Sequence, residues 1–259
     1  MSDKAKKPLK IPQVGGVWDS IAPWVLLLGA LLTTVGFILS FTVAHLVPGA
    51  AVNGVELIGE EMISNKLLLS QKIFYFHMPM AIASMVSLFF TAYYGVRFLM
   101  TKEKRFDTAG RVATEIALVF IVCTMISGEI WQIYEWQVWW TWDARLTTYL
   151  ILMLLVIGYF ILRNAIDDPE RRASYASVFG IIAFIDVPIC FMVTRLIPSS
   201  VHPVVFRTDS GMSTDMLIPL MLCMFGMFMI VYGLYRFRFR QAVLAERVEV
   251  IKEKLEDRG

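Results

Sequence analysis

The stretch Trp131-Gln-Ile-Tyr-Glu-Trp136-Gln-Val-Trp139-Trp140-Thr-Trp142-Asp143-Ala-Arg145-Leu146 gathers five of the chain's seven tryptophans into twelve residues. Strongly apolar segments lie on both sides of it, near residues 113–131 and 146–163. A helix needs about 20 residues to cross the hydrocarbon core of a bilayer. The flanking segments are of that order, so the run sits at one face of a membrane. Tryptophan collects at such faces because it is apolar with one polar edge. That tendency accounts for one or two indoles and leaves a surplus.

Outward from the run, four more segments are long enough to span, near 21–47, 73–98, 175–197 and 215–236. With 57% hydrophobic and 18% charged residues, the chain reads as a polytopic membrane protein. Hydrocarbon offers no water to an open backbone, so runs of this length are helices. The expected fold is therefore all-α, a six-helix transmembrane bundle over 21–236, preceded by a cytoplasmic tail over 1–20. A basic start before an apolar run resembles a signal peptide, but 21–47 is too long for one and no convincing small-residue cleavage site follows. It is expected as an uncleaved first span. Residues 237–259 form a cytoplasmic amphipathic helix with Leu244, Val248, Ile251 and Leu255 at helical spacing. That helix is either a solvated extension of the sixth span or a docking element for a cytosolic subunit.

Charge gives the orientation. Of 24 Lys and Arg residues, nineteen lie in the N-terminal tail, the 97–111 and 163–172 loops and the C-terminal tail. Lys66, Lys72, Arg145, Arg195 and Arg207 make up the other side. By the positive-inside rule both termini are cytoplasmic, and the tryptophan run faces outward. The three histidines, His45, His77 and His202, all fall on that outer side. The basic residues report topology, and no patch reads as a nucleic-acid surface.

An aromatic shelf beside an acid and an arginine suits a large flat amphiphile better than a small soluble metabolite. Neutral imidazole binds iron, copper or zinc, and indole supplies a flat apolar surface. Zinc wants three or four compact ligands, whereas these histidines are scattered. Two imidazoles on separate elements instead suit a porphyrin iron clamped from both faces, with an arginine on a carboxylate. Cys123, Cys190 and Cys223 lie in apolar segments without a C-x-x-C pair, which argues against thiol redox chemistry and covalent haem attachment. Asp143 stands where the fourth span begins, as a helix N-cap or as a ligand contact. Arg145 is an interfacial anchor or a carboxylate partner. Asp186 lies mid-span before Pro188, which is expected to kink its helix; the acid is either a hydrogen-bonded packing residue or a functional one.

The pattern Trp131-x4-Trp136-x2-Trp139-Trp140-x-Trp142-Asp143-Ala-Arg145-Leu-Thr147 resembles the signature of haem-handling membrane proteins with a tryptophan-rich WWD domain. Within them the chain is most similar to the CcmC family, haem exporter protein C, of bacterial cytochrome c maturation. Phe74-Tyr75-Phe76-His77-Met78-Pro79 is similar to that family's Tyr-x-His-x-Pro segment, and His202 stands where its second external histidine is expected. Departures are Gln132 and Gln137 in place of common glycines, Leu196-Ile197 in place of an aromatic pair, and Pro203 after the histidine. His45 has no counterpart.

The resemblance implies that His77 and His202 are axial ligands of haem iron. It implies further that Trp131, Trp136, Trp139, Trp140, Trp142, Asp143 and Arg145 hold the ring. The cargo would be haem b, bound non-covalently and transiently at the outer face of the inner membrane. Delivery would be to the periplasmic haem chaperone CcmE, beside the ABC transporter subunits CcmA and CcmB, the small protein CcmD and membrane lipid. The sequence holds no P-loop, so ATP would act on another chain. This reading is of a carrier and not an enzyme. The alternatives are a cytochrome c haem lyase, for which histidines are few, and an electron-carrying haem subunit, for which mid-depth histidines are absent. The last is a transporter subunit without a ligand.

Overall fold

The computed structural model describes residues 15–44, 71–197 and 212–256. His45, His202, residues 1–14 of the N-terminal tail and the connections that carry those two histidines lie outside the described residues. Among the described residues six α-helices follow in order: α1 Val17–Thr42, α2 Phe74–Thr101, α3 Lys104–Trp136, α4 Ala144–Asn164, α5 Pro169–Leu196 and α6 Thr214–Glu256. Each is long and apolar enough to cross a membrane, and no strand occurs among the described residues. The chain is a multi-pass, all-α membrane protein.

Hydropathy finds the spans but not the helix ends. The helix of the first segment begins at Val17 and closes at Thr42, ahead of the expected 21–47. Helix α3 overruns the expected 113–131 at both ends. Its polar first turns are held by ion pairs, and its last turns absorb Trp131 and Trp136, so those two indoles belong to a helix and not to a loop. Helix α5 runs unbroken through Pro188. Its start is set by Pro169 in the first turn and by Asp168, whose carboxylate accepts from Arg171 N at 2.7 Å. With 43 residues α6 is about 65 Å long, roughly twice the hydrocarbon thickness, and continues from the sixth span into the amphipathic segment. There Glu246 accepts from Thr108 Oγ1 of α3 at 2.6 Å, while Leu244, Val248, Ile251 and Leu255 are exposed.

Lipid is as apolar as a leucine side chain, so close approach rather than the hydrophobic effect holds such helices together. Helix α1 packs almost wholly on α6 and buries only short side chains along the seam: Asp19, Ala22, Gly29, Thr33, Gly36 and Ser40. From α6 come Pro219, Cys223, Gly226 and Gly233. A Cβ on Gly29 would stand 2.7 Å from Gly226 O, and one on Gly36 2.8 Å from Cys223 Sγ. Helix α2 lies at the centre, against α3, α5 and α6. Its Ser84 Oγ meets Tyr149 OH of α4 at 2.9 Å, and its Thr91 Oγ1 meets Thr114 Oγ1 of α3 at 3.1 Å. Met85, Leu88, Ile121, Leu152, Val156 and Val187 fill the space among α2, α3, α4 and α5.

The two ends of the bundle differ in chemistry. At one end ion pairs tie helix to helix: Asp19 with Arg236, Asp107 with Arg163 and Glu115 with Arg238. The Asp107–Arg163 pair is bidentate at 2.6 and 3.0 Å. Several of the cations that signalled topology are therefore also clasps. The opposite end is aromatic, with Phe74, Tyr75 and Trp131 clustered against Met216 and Leu220.

The seam between α1 and α6 is the tightest in the fold. Gly226→Ala would drive a methyl onto Thr33 Oγ1 and to 2.7 Å from Gly29 O, and is expected to lower stability by about 1–3 kcal/mol. Gly110→Ala, where the added carbon comes no nearer than 3.4 Å, is expected to leave the melting temperature unchanged or raised. Thermal unfolding of both variants in detergent checks the contrast.

Candidate functional site

His77 lies in the first turn of α2, and α3 supplies its surroundings. Ser127 and Gly128 lie four and three residues before Trp131, the spacing that stacks side chains along one side of α3. Ser127 Oγ stands 3.0 Å from His77 Nδ1. Gly128 makes the room: a Cβ there would come within 3.0 Å of His77 Cε1. The Trp131 indole meets the imidazole edge-on, with ring centres 5.8 Å apart, and meets Phe74 at 6.2 Å.

Ser127 Oγ also lies 3.1 Å from Thr124 O, to which its one hydroxyl hydrogen can go. In that arrangement the oxygen accepts from His77 in the tautomer that carries its proton on Nδ1. Nε2 is then left with its lone pair, the form of imidazole that binds a metal.

Below α2, Lys72 supports the start of the helix. It is almost fully buried and donates from Nζ to Ala44 O at 3.0 Å, just past the end of α1. Burial pushes its ammonium below the usual lysine range, and Asp215 at the start of α6 acts in the opposite direction.

Helix α3 ends at Trp136, and Gln137 follows in the left-handed conformation with φ 57°. Glycine is the usual residue there. Gln137 instead donates from Nε2 to Tyr134 O at 3.0 Å, closing one of the helix's open carbonyls with its own side chain. The chain then crosses irregularly to Asp143, whose carboxylate accepts from Arg145 N at 3.0 Å. Asp143 is thus the N-cap of α4. That cap places Arg145 in the first turn, within electrostatic range of His77, Asp143 and Arg195.

Trp139 and Trp142 are 75% and 76% exposed, so their faces are available to a ligand rather than spent on packing. Trp140 stands edge-on to Trp142 at 5.6 Å. Its Nε1, with Thr141 Oγ1 and Thr147 Oγ1, is buried without a hydrogen-bond partner among the described residues. The structure thus brings His77 together with Ser127 and Trp131, with Arg145 within electrostatic range, and Trp140 with Trp142. No ring contact among the described residues joins Trp139, Trp140 or Trp142 to His77. Glu135's side chain and His202 lie outside the described residues.

Among the described residues no three His, Cys, Asp or Glu side chains converge as a metal site would require. Asp186 takes a local partner, the Cys190 thiol at 3.5 Å one turn along α5. Sequence reasoning passed over Ser127 and Gly128. Their spacing from Trp131 was the signal, since a hydroxyl and a gap one turn before an interfacial indole mark a berth for a ring.

A family model described as CcmC, Heme exporter protein C, matches residues 65–254. The chain belongs to the CcmC family. The match takes in α2 through most of α6, and with them His77 and the whole tryptophan run. Among CcmC-type relatives, a Heme exporter protein C of Bradyrhizobium diazoefficiens is 29% identical over 183 residues, covering 70% of each chain. A putative cytochrome c biosynthesis ccmC-like mitochondrial protein of Marchantia polymorpha is 34% identical over 67% of this chain and 74% of its own. Heme exporter protein C of Escherichia coli K12 is 28% identical over 92% of this chain and 88% of its own, a span that requires α1 as well.

Proposed function

We infer that this chain binds haem as cargo at the tryptophan end of the bundle and passes it on in cytochrome c maturation. The observation that carries the reading is the Ser127 hydroxyl 3.0 Å from His77 Nδ1, which in the tautomer protonated at Nδ1 leaves Nε2 for iron. His202 is the second axial ligand in this reading. The exposed faces of Trp139 and Trp142, with Trp131, Trp136 and Trp140 beside them, cover the apolar ring. Arg145, positioned through the Asp143 cap, answers a carboxylate. The residues present fit such a cargo: a metal-competent imidazole, open indole faces, a cation and unmet polar atoms at one end.

The relatives' names speak of haem export and cytochrome c biosynthesis, and agree with a carrier rather than a classical enzyme. With the cationic end in the cytoplasm, the tryptophan end faces the periplasm across the inner membrane. A site there offers haem to the chaperone CcmE. CcmA and CcmB, with CcmD, supply the ATP-driven step that this chain has no motif for.

Two outcomes test this. Ser127→Ala keeps the His77 ligand but frees its ring, and is expected to weaken ferric haem binding by about tenfold in a Soret titration. Binding unchanged from wild type would remove Ser127 from the account. Trp139→Ala combined with Trp142→Ala removes two exposed side chains, so the melting temperature should hold within the effect of about 0.5 kcal/mol typical of surface changes. Haem transfer to purified CcmE should nonetheless fall strongly. Normal transfer by that variant would count against the shelf.

A further inference from the structure

Gln132 is 3% exposed, and neither its Nε2 nor its Oε1 has a hydrogen-bond partner among the described residues. A buried primary amide left open at both ends is costly, because each atom has given up water and received nothing. Such a group in a native fold calls for an explanation, and a ligand that completes it is one. Its position says where that something lies. Gln132 is four residues, about one turn, after Gly128, which faces the His77 imidazole, and it follows Trp131, which touches the same ring.

The two open atoms also say what kind of group is missing. Nε2 donates and Oε1 accepts, so a single partner that meets both must offer an acceptor and a donor side by side. A porphyrin's edge is apolar apart from its two carboxyl groups. A protonated carboxyl has the required pair, its carbonyl oxygen accepting from Nε2 and its hydroxyl donating to Oε1. The other carboxyl, ionised, suits the guanidinium of Arg145, which stands within electrostatic range of His77.

We propose that Gln132 holds one carboxyl group of the porphyrin bound at His77, in its neutral form. The proposal rests on the haem reading above and adds a contact that fixes which way the ring is turned. Gln132 is a binding residue that acts on the ring's substituent, not on the iron.

The test uses the full-length protein in lipid nanodiscs and two probes, ferric protoporphyrin IX and iron octaethylporphyrin, which has no carboxyl group. Gln132→Met keeps the volume and removes both polar atoms. It is expected to weaken ferric protoporphyrin IX binding by about tenfold, the scale of a buried hydrogen-bonded contact, and to leave iron octaethylporphyrin within about twofold of wild type. The melting temperature of the empty protein should rise, since two unmet atoms are gone. Gln132→Leu carries the same expectation should the methionine variant not accumulate. Equal loss for both porphyrins, or a raised melting temperature with no loss for either, would overturn the proposal while leaving haem binding in place. A wild type that binds neither porphyrin would overturn the haem reading first, and this inference with it.

Discussion

In hydrocarbon a peptide group has no water to bond to, so each long apolar segment of this chain closes its own backbone bonds as a helix. The same medium removes the usual reason for helices to associate, and close approach must replace it. The seam of Gly29, Thr33 and Gly36 against Cys223 and Gly226 is the local answer, and it secures α1 to α6. Central α2 is held instead by buried hydroxyl pairs and by the core it shares with α3, α4 and α5. With α2 and α3 so packed, His77 is brought against Ser127, Gly128 and Trp131. The site is a consequence of the packing and adds no element of its own.

Polar groups are divided between the two ends according to what each end does. The cationic end spends its charges on clasps such as Asp107–Arg163 and Glu115–Arg238, where charge is compensated at once. The tryptophan end carries several unmet polar atoms, Trp140 Nε1, Thr141 Oγ1, Thr147 Oγ1 and both ends of Gln132 among the described residues, while Arg97 Nε and Arg236 Nε are unmet at the cationic end. Fully clasped groups stabilise, while unmet ones are tolerated where a ligand completes them. Gln132 stands apart because both its donor and its acceptor are open.

Much of the fold was legible because membrane helices announce themselves by length and apolarity. All six segments became helices, and the tryptophan run fell at one end of the bundle, as hydropathy and motif required. Helix ends were less legible. Trp131 and Trp136 belong to α3 because a helix can continue past the hydrocarbon where ion pairs or aromatic contacts hold its turns, and composition does not register that. At the site, His77, Asp143 and Arg145 were visible as types in a pattern. Ser127 and Gly128 were not, since a serine and a glycine carry no signal until a neighbouring helix shows what faces them. Gln132 and Gln137 drew notice as departures from a glycine pattern, but their meanings differ. Gln137 caps a helix end with its own amide, and only Gln132 is left open.

The central claim is that His77, held at Nδ1 by Ser127, gives Nε2 to haem iron. Electron paramagnetic resonance of the ferric haem-loaded protein tests it most directly. Wild type is expected to give a low-spin signal from two nitrogen ligands. His77→Gly should lose that signal, and added imidazole, small enough to occupy the vacated berth beside Gly128, should restore it. A low-spin signal that persists unchanged in His77→Gly would contradict the account.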